Sequence, residues 1–454
     1  MIVMKFGGTS VADAERILAV AEIVRGRLAR RPIVVISALS GVTDLLERAV
    51  ACARSCERDA LEPILADVGR RHRWAVSGCV KDAGRRHDLG LEVDALFEDL
   101  RQLLRSVRVL GEGSPRSSDA LCAFGELLSS RIVASALEDQ GLRARLVDAR
   151  EVMITDGTFG GAEPDLDEVA ARGARLLMGP LAAGEVPVLA GYIGSTTDGR
   201  TTTLGRGGGD TSAAVIGAAL RADEIEIWTD VDGVMTADPR RVPEARRRAS
   251  VTFAEAAELA YYGAKVLHPA SIAPAVRSKI PVRVLNALRP EGAGTVILDE
   301  APGDASPLAS VASRAGVTSV RVASRTLRVD PGFLPRVLAA VDDQALVPDL
   351  VVSSEVAVTL VLPSRVADTG LAQSLTSFAD IEVRADRGIV CIVGRGLAGE
   401  GAARGQVLQA LASWNPELVA LGGSSTSVAA VVAEGRLDPC VRALHREFFE
   451  SELS

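Results

Sequence analysis

Two glycine-rich segments, KFGGTS at residues 5–10 and GRGGGD at residues 205–210, carry residue types suited to phosphate chemistry. Glycines let several backbone N–H groups converge on one anion, because no Cβ stands in the way. Each segment adds a charged side chain, Lys5 in the first and Asp210 in the second. Neither contains the GxxxxGK[ST] pattern of P-loop proteins. Together they predict a phosphoryl-transfer site, with a tight turn that binds nothing as the alternative for the glycines alone.

Strand-like segments place these loops at the edge of a sheet. Four apolar runs end in glycine or small residues: IVMKFGG at 2–8, IVVISALSG at 33–41, VPVLAGYIGS at 186–195 and EIEIWTDVDGV at 224–234. Longer stretches with helical periodicity separate them. Such a pattern predicts an α/β fold with a mostly parallel central sheet between two helical layers. Ligands of these sheets bind outside the carboxyl ends of the strands, where the glycine segments lie.

Composition also divides the chain into domains. Residues 42–135 are helical in pattern and rich in arginine, whereas DEAPGDASPLA at 299–309 is typical of a linker. After it come two strand–loop–helix–strand units, each too small to bury a large core alone. We predict a catalytic domain at residues 1–300, followed by α+β domains at 308–386 and 387–454.

The bulk properties exclude several functions. The chain has 454 residues, a formal charge of −8 and only 3% aromatic residues, which argues against a nucleic-acid-binding surface. Its amino terminus, MIVMKFGGTS, lacks the apolar run of a secretory signal, and no uncharged apolar run is long enough to cross a membrane. Six cysteines and four histidines show no paired zinc-ligand spacing. We therefore expect a cytoplasmic protein that binds neither nucleic acid nor membrane and has no protein metal ligands.

Six motifs in a fixed order carry a resemblance to a known family. They are KFGGTSVAD, SALSGVTD, FGELLSS, GRTTTLGRGGGDTSAA, WTDVDGVMTADPR and FAEAAELAYYGAKVLHP. In this order they resemble the aspartate kinases of the amino-acid kinase family, over essentially the whole chain. The last third is similar to the paired ACT modules of these enzymes, most of all the monofunctional lysine-sensitive type. The resemblance implies the three-layer amino-acid kinase fold followed by tandem ferredoxin-like (α+β) ACT domains.

The implied reaction is ATP-dependent phosphorylation of the β-carboxylate of L-aspartate to 4-phospho-L-aspartate, the first step toward lysine, threonine and methionine. Lys5 and Asp210 match the catalytic residues, and Mg²⁺ would accompany ATP. The substrate-binding positions are Thr43, Glu126, Arg206, Gly207, Gly208 and Gly209. The nucleotide-binding positions are Lys5, Phe6, Gly7, Gly8, Thr229, Asp230, Met235, Arg240 and Lys265. Because the acceptor carboxylate is ionised at pH 7, no general base is needed, and catalysis depends on positioning and charge cancellation.

The resemblance also implies an effector site in the ACT modules. The matching positions are Asp330, Gly332, Phe333, Leu334, Asp349, Ser354 and Glu355. They imply inhibition by an amino acid, lysine first and threonine as the alternative, and a homodimer or larger homo-oligomer formed through these modules. An ACT pair that serves only as a dimer interface is the other interpretation.

Two further functions stay open beside the leading one. One is a related carboxylate kinase with a different amino-acid acceptor, since the family commonly has serine at the position of Gly209 and histidine at that of Phe124. The other is an amino-acid sensor without catalysis, although Lys5 and Asp210 are both present. The length leaves no room for a fused homoserine dehydrogenase.

Overall fold

The computed structural model describes residues 1–55, 58–263, 267–300, 302, 306–325, 330–363, 370–398 and 402–450. Lys265 and part of the expected linker lie outside the described residues. The strands are β1 Ile2–Phe6, β2 Pro32–Ile36, β3 Ala144–Val147, β4 Val186–Ala190, β5 Ile193–Ser195, β6 Thr201–Thr203, β7 Glu224–Thr229, β8 Ser250–Thr252, β9 Val282–Asn286, β10 Thr295–Leu298, β11 Ser310–Ser324, β12 Leu350–Ser353, β13 Ala357–Pro363, β14 Ala379–Val393, β15 Leu418–Leu421 and β16 Ser427–Ala433.

The α-helices are α1 Ala14–Arg25, α2 Val42–Arg54, α3 Arg58–Cys79, α4 Ala83–Leu110, α5 Pro115–Cys122, α6 Phe124–Asp139, α7 Ala149–Val152, α8 Leu166–Leu176, α9 Met178–Ala182, α10 Gly208–Ala219, α11 Phe253–Tyr261, α12 Ala273–Arg277, α13 Phe333–Asp342, α14 Leu371–Thr376, α15 Ala402–Ala412 and α16 Glu434–His445. Short 3₁₀ turns cover Gly8–Val11, Leu28–Arg30, Pro269–Ile272 and Arg395–Leu397, and a π turn covers Arg446–Glu450.

The chain forms two compact units. The first contains Met1–Gly233 and His268–Ala301, and the second contains Val234–Leu267 and Pro302–Ser454. The segment 234–267, which the sequence pattern assigns to the catalytic domain, thus groups with the second unit. The domain limits given above stay a prediction.

A mostly parallel sheet forms the centre of the first unit. Within this unit its strands lie in the order β3-β4-β2-β1-β7-β9-β10, and adjacent strands run parallel except β9 and β10. The central strands are buried on both faces, as their continuous Val and Ile runs predict. Because strand side chains alternate, Phe6 stacks on Trp228 on one face while Lys5 points to α10 on the other.

Helical periodicity between residues 42 and 135 correctly predicts α2 to α6. Local signals define their ends: Ser114 caps α5 with Pro115 in its first turn, and Gly111 ends α4 at φ +64°. Residues 115–139 are, among the described residues, the stretch of helix apolar and long enough to cross a membrane, but 83% of its apolar window is buried inside the protein. Packing in a protein core explains the apolar character of this stretch.

The second unit contains an antiparallel sheet in the order β12-β13-β11-β14-β16-β15. Long strands β11 and β14 pair at its centre and join the two strand–helix–strand units expected from sequence into one sheet. One core forms around α13 and α14, and another forms around α15 and α16. The tandem α+β arrangement is the predicted one.

Candidate active site

A cavity of about 750 Å³ lies in the first unit, at the carboxyl ends of β1, β2 and β7. This is the edge at which parallel sheets bind their ligands. Most residues predicted from sequence line it together: Lys5, Gly7, Gly8, Thr43, Glu126, Arg206, Gly207, Gly208, Gly209, Asp210, Thr229 and Asp230. The two glycine segments therefore face one common space.

Lys5 and Asp210 form an ion pair in this cavity. The Lys5 Nζ lies 2.6 Å from Asp210 Oδ1, and the two side chains are 12% and 17% exposed. Lys5 is the second-last residue of the central strand β1, while Asp210 lies in the first turn of α10. The pair thus holds an ammonium group beside the backbone of both glycine segments, where an incoming phosphoryl group would meet it.

The glycines of the second segment have a steric reason. Gly207 has φ +74°, and a Cβ built on it would collide with the hydroxyl of Ser271. A Cβ on Gly209 would lie 2.8 Å from Ser37 Oγ and 3.1 Å from Lys5 Cε. Gly207 is also the N-cap of α10 and gives it no side-chain cap. The first-turn N–H groups of the helix therefore point toward the space that an anion would occupy.

Glu126 is the most perturbed carboxyl group in the cavity. It lies on α6, is 3% exposed, and accepts a hydrogen bond from the Ala38 N–H at 3.1 Å on Oε1. Its Oε2 has no hydrogen-bond partner among the described residues. Burial raises the pKa of Glu126 to about 8, against the opposing effect of that hydrogen bond. A cationic group brought by a ligand would supply the missing partner.

Thr43 and Arg206 complete the amino-acid part of the predicted set. Thr43 is half-buried in the first turn of α2, and Arg206 is exposed between β6 and α10. The planar guanidinium of an arginine suits a bidentate contact with a carboxylate. The carboxyl group of Glu126 and the guanidinium of Arg206 thus line one cavity, as binding an amino acid by its ammonium and its carboxylate requires.

Two supporting residues escaped the sequence analysis. The buried Asp119 accepts hydrogen bonds from the Thr203 N–H at 2.9 Å, the Thr203 hydroxyl at 2.8 Å and the Gly160 N–H at 3.0 Å. It thereby fastens the loop at Gly160 to the strand that leads into GRGGGD. Tyr192 lines the cavity with a φ of 66°, and its N–H donates to Ser212 Oγ at 2.9 Å. Only the nearby Gly191 and Gly194 could have indicated an unusual backbone there.

Other predicted nucleotide residues lie elsewhere. The side chain of Phe6 is buried against Trp228 rather than in the cavity. Met235 and Arg240 belong to the second unit. The Arg240 guanidinium is 84% exposed and bonds both oxygens of Asp238, at 3.0 and 2.7 Å. Lys265 is outside the described residues, so its role stays a prediction.

The predicted effector residues occupy two places in the second unit. Asp330 precedes α13, where its carboxylate accepts the Gly332 N–H at 2.9 Å and pairs with Arg336. Phe333 and Leu334 begin that helix, with Phe333 buried edge-on against Phe378. Gly332 is the N-cap of the helix. This group therefore forms a structured loop at a helix start.

The second place is the β12–β13 hairpin. Asp349 is 9% exposed, its Oδ1 accepts from Arg314 at 2.6 Å, and its Oδ2 has no partner among the described residues. Burial raises the pKa of Asp349, with Arg314 acting in the opposite direction. Ser354 and Glu355 are exposed in the turn that follows β12. Asp349 is thus a buried carboxylate with one unused acceptor.

Comparison with known proteins shows the family and the fold of the chain. The amino acid kinase family matches residues 1–286. The lysine-sensitive aspartokinase 3 of Escherichia coli is 35% identical over 468 residues, covering 99% of both chains. The crystal structure of Escherichia coli aspartokinase III with lysine and aspartate (T-state) has a TM-score of 0.87 at 34% identity, with 99% of each chain covered. Its complex with aspartate and ADP (R-state) has a TM-score of 0.80 over 99% of this chain and 100% of that one.

These matches extend through both units, and they confirm the predicted fold class and the aspartate kinase activity. An alternative carboxylate acceptor is not favoured. The chain therefore belongs to the amino acid kinase family and, within it, to the aspartokinases.

Proposed function

We propose that the cavity of the first unit is where this aspartokinase transfers the γ-phosphoryl group of ATP to the β-carboxylate of L-aspartate. The observation that carries the proposal is the ion pair of Lys5 with Asp210, placed between two glycine segments that can surround a phosphate. The products are 4-phospho-L-aspartate and ADP.

The chemistry needs little more than positioning and charge. The acceptor carboxylate is a competent nucleophile at pH 7, so the protein has no proton to remove. Lys5 would move its ammonium onto the equatorial oxygens of the transferring group, where charge concentrates in the transition state. Asp210 keeps that ammonium in place between turnovers. The N–H groups at the start of α10 would add fixed partial charges of the same sign.

Aspartate itself would be held at its other two groups. The unpartnered Oε2 of Glu126 would accept a hydrogen bond from the substrate ammonium, and the Arg206 guanidinium would bind the α-carboxylate in a bidentate contact. Thr43 would donate its hydroxyl to the same amino acid. These contacts leave the β-carboxylate as the end of the substrate that faces Lys5.

The nucleotide is assigned to the remaining predicted residues: Gly7, Gly8, Thr229, Asp230, Met235, Arg240 and Lys265. The Escherichia coli relative was crystallised with aspartate and ADP, which supports nucleotide use by this chain. Mg²⁺ fits as a companion of the phosphates. Among the described residues no three His, Cys, Asp or Glu side chains form a metal site, and Mg²⁺ commonly uses one or two carboxylates plus substrate phosphates. Asp210 and Asp230 line the cavity and would supply them, which replaces the expectation that the protein has no metal ligands.

Regulation is assigned to the second unit. The Escherichia coli T-state structure contains lysine, and we propose lysine as the inhibitor of this chain, with threonine as the alternative. Asp349 would receive a lysine ammonium on its unused oxygen. The exposed edge strands β12 and β15 would pair with a second copy in a homodimer. The described cysteines are all unpaired, which suits the reducing cytoplasm.

The test is an assay of MgATP-dependent phosphorylation of L-aspartate, with the acyl phosphate trapped by hydroxylamine. Lysine and threonine are added singly and together. Activity that depends on L-aspartate and falls with lysine supports both the site and the effector. Equal activity with L-glutamate would move the acceptor away from aspartate, and activity indifferent to both amino acids would reject the effector assignment alone.

A further inference from the structure

The segment 234–247 of the second unit is a closed loop with a polar base. Met235 pairs with Arg247 as a β-bridge. The Thr236 N–H donates to the Arg246 carbonyl at 2.8 Å, and the Arg246 N–H donates to the Thr236 hydroxyl at 2.8 Å. This loop carries Met235 and Arg240, which the proposed function assigns to the nucleotide.

His445, the last residue of α16, is bonded directly to that base. Its Nε2 lies 2.9 Å from Thr236 Oγ1, and its Nδ1 lies 2.8 Å from Glu450 Oε1. His445 is completely buried and stacks on Phe449 at 5.4 Å. In the neutral tautomer with its proton on Nδ1, the ring donates to Glu450 and accepts from Thr236. The Thr236 hydroxyl is then satisfied on both sides, because it also accepts from Arg246.

A second attachment lies at Arg241, five residues further along the loop than Thr236. Arg241 forms an ion pair with Asp438 of α16, and the Arg442 Nε donates to the Arg241 carbonyl at 2.9 Å. Ala237 and Val242 are buried in the core formed with the apolar face of α16. Helix α16 and the residue that ends it therefore contact the loop on both sides of its tip, residues 239 and 240.

Between the two attachments the tip is presented to solvent. Residues 239 and 240 are exposed. The Arg240 side chain points into solvent, and its guanidinium pairs with the Asp238 carboxylate. The Arg241 and Val242 N–H groups both donate to the Asp238 carbonyl at 2.9 Å, which makes the tip a compact turn. The shape of the tip therefore depends on the hydrogen-bonded pair Thr236 and Arg246 at the start and end of the loop, which His445 of α16 holds in place.

We propose that α16 is a clamp that sets the shape of the nucleotide loop, and that His445 is its positioning residue. This inference rests on the proposed nucleotide role of Met235 and Arg240. The clamp also connects that loop to the antiparallel sheet, because Leu437, Val441 and Leu444 pack in one core with strand residues of β11, β14 and β16. A shift of the sheet would move α16 and, with it, the loop.

The test is the His445→Phe variant, which keeps a ring against Phe449 but removes both hydrogen bonds. We expect the KM for ATP to rise about tenfold, as loss of a buried hydrogen bond implies, with the KM for L-aspartate and the saturated kcat within about twofold. Thr236→Val should raise the KM for ATP as well, and the double variant should add nothing to the larger single effect. A purely structural histidine would lower the melting temperature and leave both KM values unchanged.

His72→Phe is the matched control, because His72 is the same residue type, fully buried, and lies in the first unit against Phe97. It should lower stability without changing the KM for ATP. Arg240→Ala tests the nucleotide assignment itself. A raised KM in Arg240→Ala beside an unchanged one in His445→Phe overturns the clamp, whereas no effect in Arg240→Ala overturns the proposed nucleotide role.

Hydrogen exchange gives a readout that needs no activity. In His445→Phe, amides of residues 236–242 should exchange faster than in the wild type, while those of the His72→Phe control should not. Equal exchange in this loop overturns the clamp whatever the KM values are.

Discussion

The buried carboxyl of Glu126 makes the affinity for aspartate depend on pH in a way that can be calculated. Its pKa is raised to about 8 because the group is buried, yet the proposed role requires the ionised form to meet the substrate ammonium. Binding below pH 8 must therefore expel a proton. The perturbation is Glu126→Gln, which keeps the size of the side chain and removes its titration.

The magnitude follows from the fraction that is ionised. With a pKa of about 8, about one tenth of the Glu126 carboxyl is ionised at pH 7 and about three quarters at pH 8.5. The apparent affinity of the wild type for L-aspartate should therefore rise about eightfold over this range. At pH 7, binding should release nearly one proton per site. The Gln variant should bind more weakly at every pH and release none.

The assay is calorimetric titration of L-aspartate at pH 7 in buffers of different ionisation enthalpy, with the KM for aspartate measured from pH 6.5 to 8.5. Glu47→Gln is the matched control, since Glu47 lines the same cavity but is exposed. It should preserve both the proton release and the slope of KM with pH. Proton release that persists in Glu126→Gln, or a flat wild-type KM profile, would refute the reasoning.

The same group predicts a stability effect whose sign is fixed. A carboxyl whose pKa rises from 4.5 to about 8 on folding stabilises the protein fully below pH 4.5, and this contribution is lost as the pH rises to 8. The Glu126→Gln variant has no carboxyl group to titrate at this position, so it does not lose this stability as the pH rises. Relative to the wild type, the variant should become more stable as the pH increases from about 5 to 8, in thermal melts at each pH.

Four further outcomes follow from the structure. Lys5→Ala should lower kcat by at least about 100-fold, because transition-state charge loses its cation, with the melting curve preserved; near-full turnover would reject the role. Gly207→Ala should lose activity, since a left-handed alanine costs about 1–2 kcal/mol and its Cβ meets Ser271; unchanged kinetics would contradict the steric argument. Glu226→Ala should destabilise the fold by about 3 kcal/mol in denaturant melts, because this buried carboxylate bonds Trp228 Nε1 at 3.0 Å and two arginines. Asp349→Asn should raise the lysine concentration for half-inhibition without changing kcat, and unaltered inhibition would remove Asp349 from the effector site.

Strand ends and glycine segments could be predicted from sequence because both depend on local chemistry. The apolar runs predict β1, β2, β4 and β7 as buried strands. Their parallel pairing places the carboxyl end of β1, with Lys5, at the edge of the sheet where α10 presents Asp210. Helix α10 begins at Gly208, inside the GRGGGD segment. Local pattern and tertiary pairing agree in this region, so the two glycine segments could be predicted to lie together; the catalytic roles of Lys5 and Asp210 come from the family resemblance and stay a prediction.

Residues whose role depends on distant partners could not be predicted. Asp119 shows nothing unusual in its own neighbourhood, and its three hydrogen bonds come from residues 41 and 84 positions away. The segment 234–267 follows the pattern of the first unit but groups with the second. The partner of Thr236 is 209 residues away at His445. Such contacts are set by how elements pack, and no residue spacing records them.

Hydrogen-bond satisfaction distinguishes Asp119 and Glu226, which support the fold, from Glu126 and Asp349, for which we propose amino-acid ligands. Asp119 and Glu226 have partners on both oxygens, including backbone N–H groups in one case and arginines in the other. Glu126 Oε2 and Asp349 Oδ2 are buried without a partner in the described part of the chain. An unpaired buried oxygen costs about 1–3 kcal/mol, and a ligand ammonium would remove that cost. The substrate and the proposed effector are both amino acids, so one chemical device would serve both sites: a buried carboxylate left incomplete until an ammonium group arrives.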